Sequence, residues 1–93
     1  MIESFGDKDT AAVFSKKIVA RFPPELTARA YRKLVQIDSA PNLAFLRVPP
    51  SNRLEPLRGK LKGFHSIRIN DRWRIIFRFD RGNASDVKIC DYH

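Results

Sequence analysis

Apolar residues along this chain keep two different periods. Ala11, Phe14 and Ile18 recur at i, i+3 and i+7, which predicts a helix over about residues 8–20 behind an Asp7 N-cap. Leu26, Ala30, Leu34 and Ile37 repeat the helical stripe, with Pro24 suited to the first turn and Arg29, Arg32 and Lys33 on the more exposed side. Pro41 disfavours the α region for Ala40, so this second helix should stop there; Leu43 to Leu46 are consistent with one more turn. From residue 65 the period becomes two. His65, Ile67 and Ile69 alternate with Ser66, Arg68 and Asn70, and Trp73, Ile75, Phe77 and Phe79 alternate with Arg72, Arg74, Ile76 and Arg78. Asn70-Asp71 and Asp80-Arg81-Gly82-Asn83 read as turns, and Val87 and Ile89 open a third strand ending at Asp91-Tyr92-His93. Met1 to Phe5 reads as a further short strand. Residues 47–63, with Pro49-Pro50, Gly59 and Gly63, read as an irregular basic connection, long for a loop and therefore of functional interest.

Helices first and a meander afterwards predict an α+β fold: two N-terminal helices packed on one face of a small twisted, mainly antiparallel sheet. With 93 residues it is a single domain, 1–93, with one modest core. The aromatic and aliphatic parity of the strands should face the helices. The other parity carries Arg68, Arg74, Arg78, Lys88, Cys90 and Tyr92, with no carboxylate of the same parity in those strands.

Charge sharpens this picture. Eighteen Lys and Arg oppose ten Asp and Glu for a net charge of +8, and from residue 45 onward the ratio is eleven to five. A positive field gathered in one half of a small domain attracts polyanions, nucleic acid above all. No apolar run is long enough to span a bilayer, and a membrane partner is not expected. A single cysteine excludes an internal disulfide, and one Cys with two His is too few for a structural zinc site, so no metal or cofactor is expected. The first residues lack the basic-then-apolar order of a signal peptide, and the expected location is the reducing cytoplasm.

Arginine pairs bidentately with phosphate and stays charged at any working pH, so Arg68, Arg74 and Arg78 are candidate phosphate ligands. Arg53, Arg58, Lys60 and Lys62 on the connection extend that surface, although exposed cations alone also describe an ordinary solvated loop. In Asp91-Tyr92-His93, the histidine can take and give a proton near neutral pH and the tyrosine can stack on a base. By spacing alone, a frayed chain end is the plainer reading of this trio. His65 has core parity and reads as a satisfied, partly buried histidine, Cys90 as inert, and Trp73 as a core anchor. There is no Gly-rich phosphate loop, no Ser-His-Asp spacing and no acidic metal pair. A phosphodiester enzyme of this kind must use the nucleic acid's own nucleophile, and only RNA has one, the 2′-OH.

The combination of motifs resembles the RelE/ParE superfamily of toxin–antitoxin toxins, within it the HigB branch of plasmid-maintenance killer proteins. The resemblance rests on Met1-Ile2-Glu3-Ser4-Phe5 with Lys8-Asp9-Thr10, and on Asn52-Arg53-Leu54-Glu55-Pro56-Leu57-Arg58-Gly59. It continues through Gly63-Phe64-His65-Ser66-Ile67-Arg68-Ile69-Asn70 and Trp73-Arg74-Ile75 with Phe77, and closes on Asp91-Tyr92-His93. It implies a RelE-like fold and a ribosome-dependent endoribonuclease that cuts mRNA. It also implies a HigA-like helix-turn-helix antitoxin encoded beside the toxin, through which the complex would reach operator DNA. By position, Asp91, Tyr92 and His93 match the catalytic C-terminal motif, Arg74 the basic residue after Trp, and Arg58 a basic loop position. One departure stands out: some members have a histidine where this chain has Glu55, a carboxylate that would repel phosphate. On the ParE side of the superfamily, relatives poison DNA gyrase instead, and a non-catalytic nucleic-acid-binding module is a third reading.

Overall fold

The computed structural model describes residues 1–91; Tyr92 and His93 lie outside the described residues. Asp7, in an extended conformation, accepts a hydrogen bond from the Thr10 N–H at 2.8 Å and opens α1, Lys8–Phe14. The helix is half the length that the apolar stripe predicted. It stops at Ser15, and Lys16 turns left-handed at φ 61°. Its buried positions are Thr10 and Val13, and the Thr10 hydroxyl accepts from the Ile89 N–H at 2.9 Å. With 3.6 residues per turn, a helix anchored on Thr10 and Val13 would carry Ile18 well off that face. Ile18, expected in the core, is instead 96% exposed.

The second helix follows its sequence pattern closely. α2, Pro24–Ser39, has Pro24 in its first turn and buries Leu26, Ala30, Leu34 and Ile37. It is released at Ala40, which is extended as a residue before proline must be. A 3₁₀ turn, Leu43–Arg47, is capped by the Asn42 side chain, which accepts from the Phe45 N–H at 3.0 Å.

The connection over 47–63 is more ordered than expected. It contains 3₁₀ turns at Pro50–Asn52 and Gly59–Leu61 and, between them, a two-residue strand β1, Glu55–Pro56. Asn52 organises its start. Fully buried, Asn52 donates from Nδ2 to Gln36 Oε1 and to the Leu46 carbonyl, both at 3.0 Å, and accepts from Lys33 Nζ. Arg53, next to it, is left-handed at φ 47° and turns the chain toward the sheet edge.

β2 (Phe64–Arg68), β3 (Trp73–Asp80) and β4 (Asn83–Asp91) complete a sheet of order β1-β2-β3-β4 with every neighbouring pair antiparallel. Asn70 Oδ1 accepts from the N–H groups of Arg72 and Trp73 and so closes the β2–β3 turn. Arg81 and Gly82, both at positive φ, form the two-residue β3–β4 turn, the conformation that suits the twist of a hairpin. Met1 to Phe5 makes isolated parallel bridges to β4, Ile2 with Ala84 and Phe5 with Val87, in place of a full strand. The helices and the Ile67, Ile75, Phe77, Val87 and Ile89 side chains form one core. Trp73 sits at its rim, edge-on to Phe22 with ring centroids 5.5 Å apart. Among the described residues, no helix is long and apolar enough to cross a membrane.

His65 is half-buried and stacks on Phe77 with centroids 6.3 Å apart, but its buried Nδ1 has no hydrogen-bond partner among the described residues. It is therefore not the satisfied histidine that its parity suggested. Burial, and secondarily the Arg47 charge, hold its pKa below the ordinary value of 6.5. Protons then bind the unfolded chain more readily than the folded one in the interval below 6.5. Stability should accordingly fall as pH drops through 6.5 and level off once pH passes the lower folded-state value. His65→Phe should flatten that decline in thermal melts between pH 7.5 and 5. Thr10→Val keeps shape but leaves the buried Ile89 N–H without its acceptor, so urea unfolding should show a loss of about 1–3 kcal/mol at unchanged m.

Candidate active site

The face of the sheet turned away from the helices is built of cross-strand rows. Arg68, Arg74 and Cys90 form one row, Glu55, Ser66, Ile76 and Lys88 the next, and Phe64, Arg78 and Ser85 a third. Only the centre of the middle row is withdrawn from water, with Ser66 fully buried and Ile76 nearly so. The Ser66 hydroxyl is buried without a hydrogen-bond partner among the described residues.

Arg68 and Arg74 are direct partners across the β2–β3 ladder. Like charges in that relation repel, so the pair persists only with compensation. Carboxylates supply it, contrary to the carboxylate-free face the strand pattern suggested. Arg68 Nη2 pairs with Asp71 in the adjoining turn, and Arg74 Nη1 lies 3.8 Å from Glu55 Oε1 on β1. Arg78 Nε lies 3.6 Å from Asp86 Oδ2 at the β4 bulge, its guanidinium 4.4 Å from the Phe64 ring centre. Arg68 and Arg74 are more sheltered than Arg78, their side chains 23% and 16% exposed against 50%. Sheltered guanidinium groups exert more of their field, because less water screens them.

The predicted cations do not all converge. Arg78 lies four residues along β3 from Arg74, roughly 13 Å at strand rise, and belongs to the opposite end of the sheet. Arg58, Lys60 and Lys62 are exposed in and around the last 3₁₀ turn, and Arg53 is exposed before β1. Only Glu55 of that connection reaches Arg74 within ion-pair distance.

Asp91 ends β4 opposite Trp73, one register step beyond the Arg74–Cys90 pair, so strand alternation turns it to the other face of the same sheet end. Its Oδ2 accepts from Arg72 Nε at 3.0 Å and Nη2 at 2.7 Å, and this bond raises the Arg72 pKa. The catalytic assignments of Tyr92 and His93 lie outside the described residues, immediately after that anchor. Arg72 was missed by the sequence reading, because nothing in the sequence reveals which charge lies across from the last strand. The buried role of Asn52 is likewise invisible in its motif, because its partners Lys33, Gln36 and Leu46 lie elsewhere in the chain. Its neighbour Lys33 has a lowered pKa, chiefly from burial and then from the charges of Arg29, Arg32 and Arg68. Cys90 has a raised pKa, chiefly from burial, which agrees with an inert thiol. Among the described residues, no three His, Cys, Asp or Glu side chains come together as a metal-holding group.

Known proteins share this architecture and sequence. Residues 3–93 match the model of the HigB-like toxin family, described as the RelE-like toxin of the type II toxin–antitoxin system HigB. The chain is 33% identical to the Endoribonuclease HigB of Proteus vulgaris over the full length of both. It is 44% identical to Toxin HigB-1 of Vibrio cholerae over 62 residues, which are 67% of this chain and 65% of that toxin. A YoeB–YefM complex from Staphylococcus aureus contains a chain that superimposes with a TM-score of 0.64 at 17% identity, covering all of this chain and 98% of the other. YafQ from Escherichia coli gives 0.58 at 17% identity, covering 98% and 91%. The arginine-bearing sheet face, the two helices behind it and the match along nearly the whole chain agree: this protein belongs to the HigB-like family of RelE-like toxins.

Proposed function

We propose that this chain is an endoribonuclease of a type II toxin–antitoxin system that cuts mRNA on the ribosome, without a metal ion, by 2′-OH attack on the adjacent phosphate. One observation carries the reading. Three strands bring Glu55, Arg68 and Arg74 together at the sheet end where β4 delivers Asp91. Two facing arginines, kept in place by partly exposed carboxylates that a phosphate can replace as their partner, form a site for an RNA phosphate. The full-length relative named an endoribonuclease supports the same reaction.

In this mechanism Arg74 stabilises the charge of the phosphorane, with Arg68 beside it, because a sheltered guanidinium is already oriented where the negative charge grows. Arg78, Arg53, Arg58, Lys60 and Lys62 hold the RNA backbone farther out. Asp91 is tied to Arg72 at the end of β4. His93 carries the proton from the attacking 2′-OH to the 5′-oxygen that departs as the P–O5′ bond breaks, and Tyr92 stacks on a base. Glu55 is the competing base, and its pairing with Arg74 keeps a carboxylate tolerable beside a phosphate. The partners are mRNA, the ribosome and a HigA-like helix-turn-helix antitoxin, through which the complex meets operator DNA. The solved YoeB–YefM complex supports the antitoxin partner. The reading places the toxin in the cytoplasm.

The test is primer extension on a translated mRNA after brief expression. Arg74→Ala should lower cleavage by roughly 10²-fold or more. It should cost less than about 1 kcal/mol of stability, since it also removes a like-charge pair. His93→Gln should fold normally and lose roughly 10²–10⁴-fold of the cleavage rate. Parental cleavage by His93→Gln would transfer the proton-transfer role to Glu55, and loss of DNA supercoiling with intact mRNA would overturn the ribonuclease reading. RNA affinity of the parental chain should fall steeply with added salt.

A further inference from the structure

The helix side of the molecule carries a second surface, separate from the sheet face. Where α1 ends, left-handed Lys16 redirects the chain, and Ile18 projects into solvent at 96% exposure. Beside it lies an apolar groove of about 530 Å³ between this segment and the first half of α2. Val19, Phe22, Ala28 and Tyr31 are among its lining residues. A large aliphatic side chain standing free at the lip of an apolar groove is an unfinished contact.

The charges around it are distributed unlike those of the sheet face. There, Arg68, Arg74 and Arg78 each have a carboxylate within ion-pair distance. At the groove, Lys16, Lys17 and Arg32 are exposed, and among the described residues no carboxylate pairs with them. Lys16 Nζ lies 5.1 Å from the Tyr31 ring centre, at the edge of the apolar floor. An apolar floor with unneutralised cations on its rim fits an apolar stripe flanked by Asp and Glu. A second copy of this chain, at +8, brings like charge to like charge. RNA would match the rim and leave the floor wet.

We infer that this groove is the docking site for an acidic amphipathic helix of the antitoxin, its apolar stripe covering Ile18 and the groove floor and its carboxylates meeting Lys16, Lys17 and Arg32. The inference rests on the antitoxin reading above and adds to it the surface and the chemistry of the contact. Such a helix follows the helix-in-groove mode, in which residues at i, i+3, i+4 and i+7 fill the groove. Seated there, it touches none of Glu55, Arg68 or Arg74.

The probe is the protein encoded by the reading frame adjoining the toxin's, purified and titrated calorimetrically into the full chain. Ile18→Asp and Lys17→Glu each change an exposed side chain outside the cleavage site, so both variants should fold and cut mRNA at the parental rate. Each should weaken binding by roughly 10-fold or more, whereas Arg81→Glu, at an exposed cation in the β3–β4 turn, should change it by less than about 2-fold. Equal affinity of Ile18→Asp, Lys17→Glu and the parental chain would overturn the docking site while leaving the antitoxin reading intact. A parental chain that cuts mRNA but does not bind the probe would overturn both. Binding to phosphatidylglycerol vesicles that Ile18→Asp abolishes, with probe affinity unchanged, would assign the groove to an anionic lipid surface and overturn the proposal.

Discussion

The structure depends on β4 being held along both of its edges. β3 pairs with it antiparallel on one side, and Met1 to Phe5 bridges to it in parallel on the other. An exposed strand edge invites pairing with another chain, and here the N-terminal segment occupies it. That segment leads directly into α1, whose Thr10 hydroxyl takes the Ile89 N–H. Ile2 N–H also donates to Asp38 Oδ1 at 2.8 Å, which ties the same segment to the end of α2. The two helices are thus located relative to the sheet by hydrogen bonds as well as by apolar burial. The position of Asp91 is set by the same strand.

The other organising constraint is the accommodation of positive charge. A chain at +8 that gathers arginines on one sheet face must oppose their mutual repulsion or hold them apart. It does both. Arg78 is placed at the far end of β3, and Arg68 and Arg74, which face each other, are each joined to a carboxylate. These pairs are partly exposed and contribute little stability individually. Their consequence is geometric: two guanidinium groups keep fixed positions in the absence of phosphate. Glu55 is thereby part of the charge balance of the site.

Asn52 links the helices to that balance. Its amide joins α2 to the 3₁₀ turn before it and supplies an acceptor for Lys33. Because a buried amide is costly unless its donors and acceptors are met, the start of the basic connection is held to one conformation. Two residues after left-handed Arg53, Glu55 comes into register with Ser66 and into reach of Arg74. A connection that composition describes as loop thus positions a charged residue at the site.

The sequence by itself determined the features that depend on local pattern. The four buried positions of α2, the turns at Asn70 and at Arg81-Gly82, and the two faces of β3 follow from periodicity and turn chemistry, which act within a few residues. The motifs were sufficient to indicate the family. Tertiary structure alone decided whatever depends on a partner distant in sequence. Thr10 became a core residue whose hydroxyl takes the Ile89 N–H, and α1 ends at Phe14 with Ile18 left outside the core. Asp71, Glu55 and Asp86 became partners of arginines whose own strands offered none, and Arg72 became the anchor of Asp91. Hydrophobic periodicity records which side of an element faces inward. It carries no information on which charge or hydroxyl the folded chain sets opposite another, because that pairing exists only once the strands are in register.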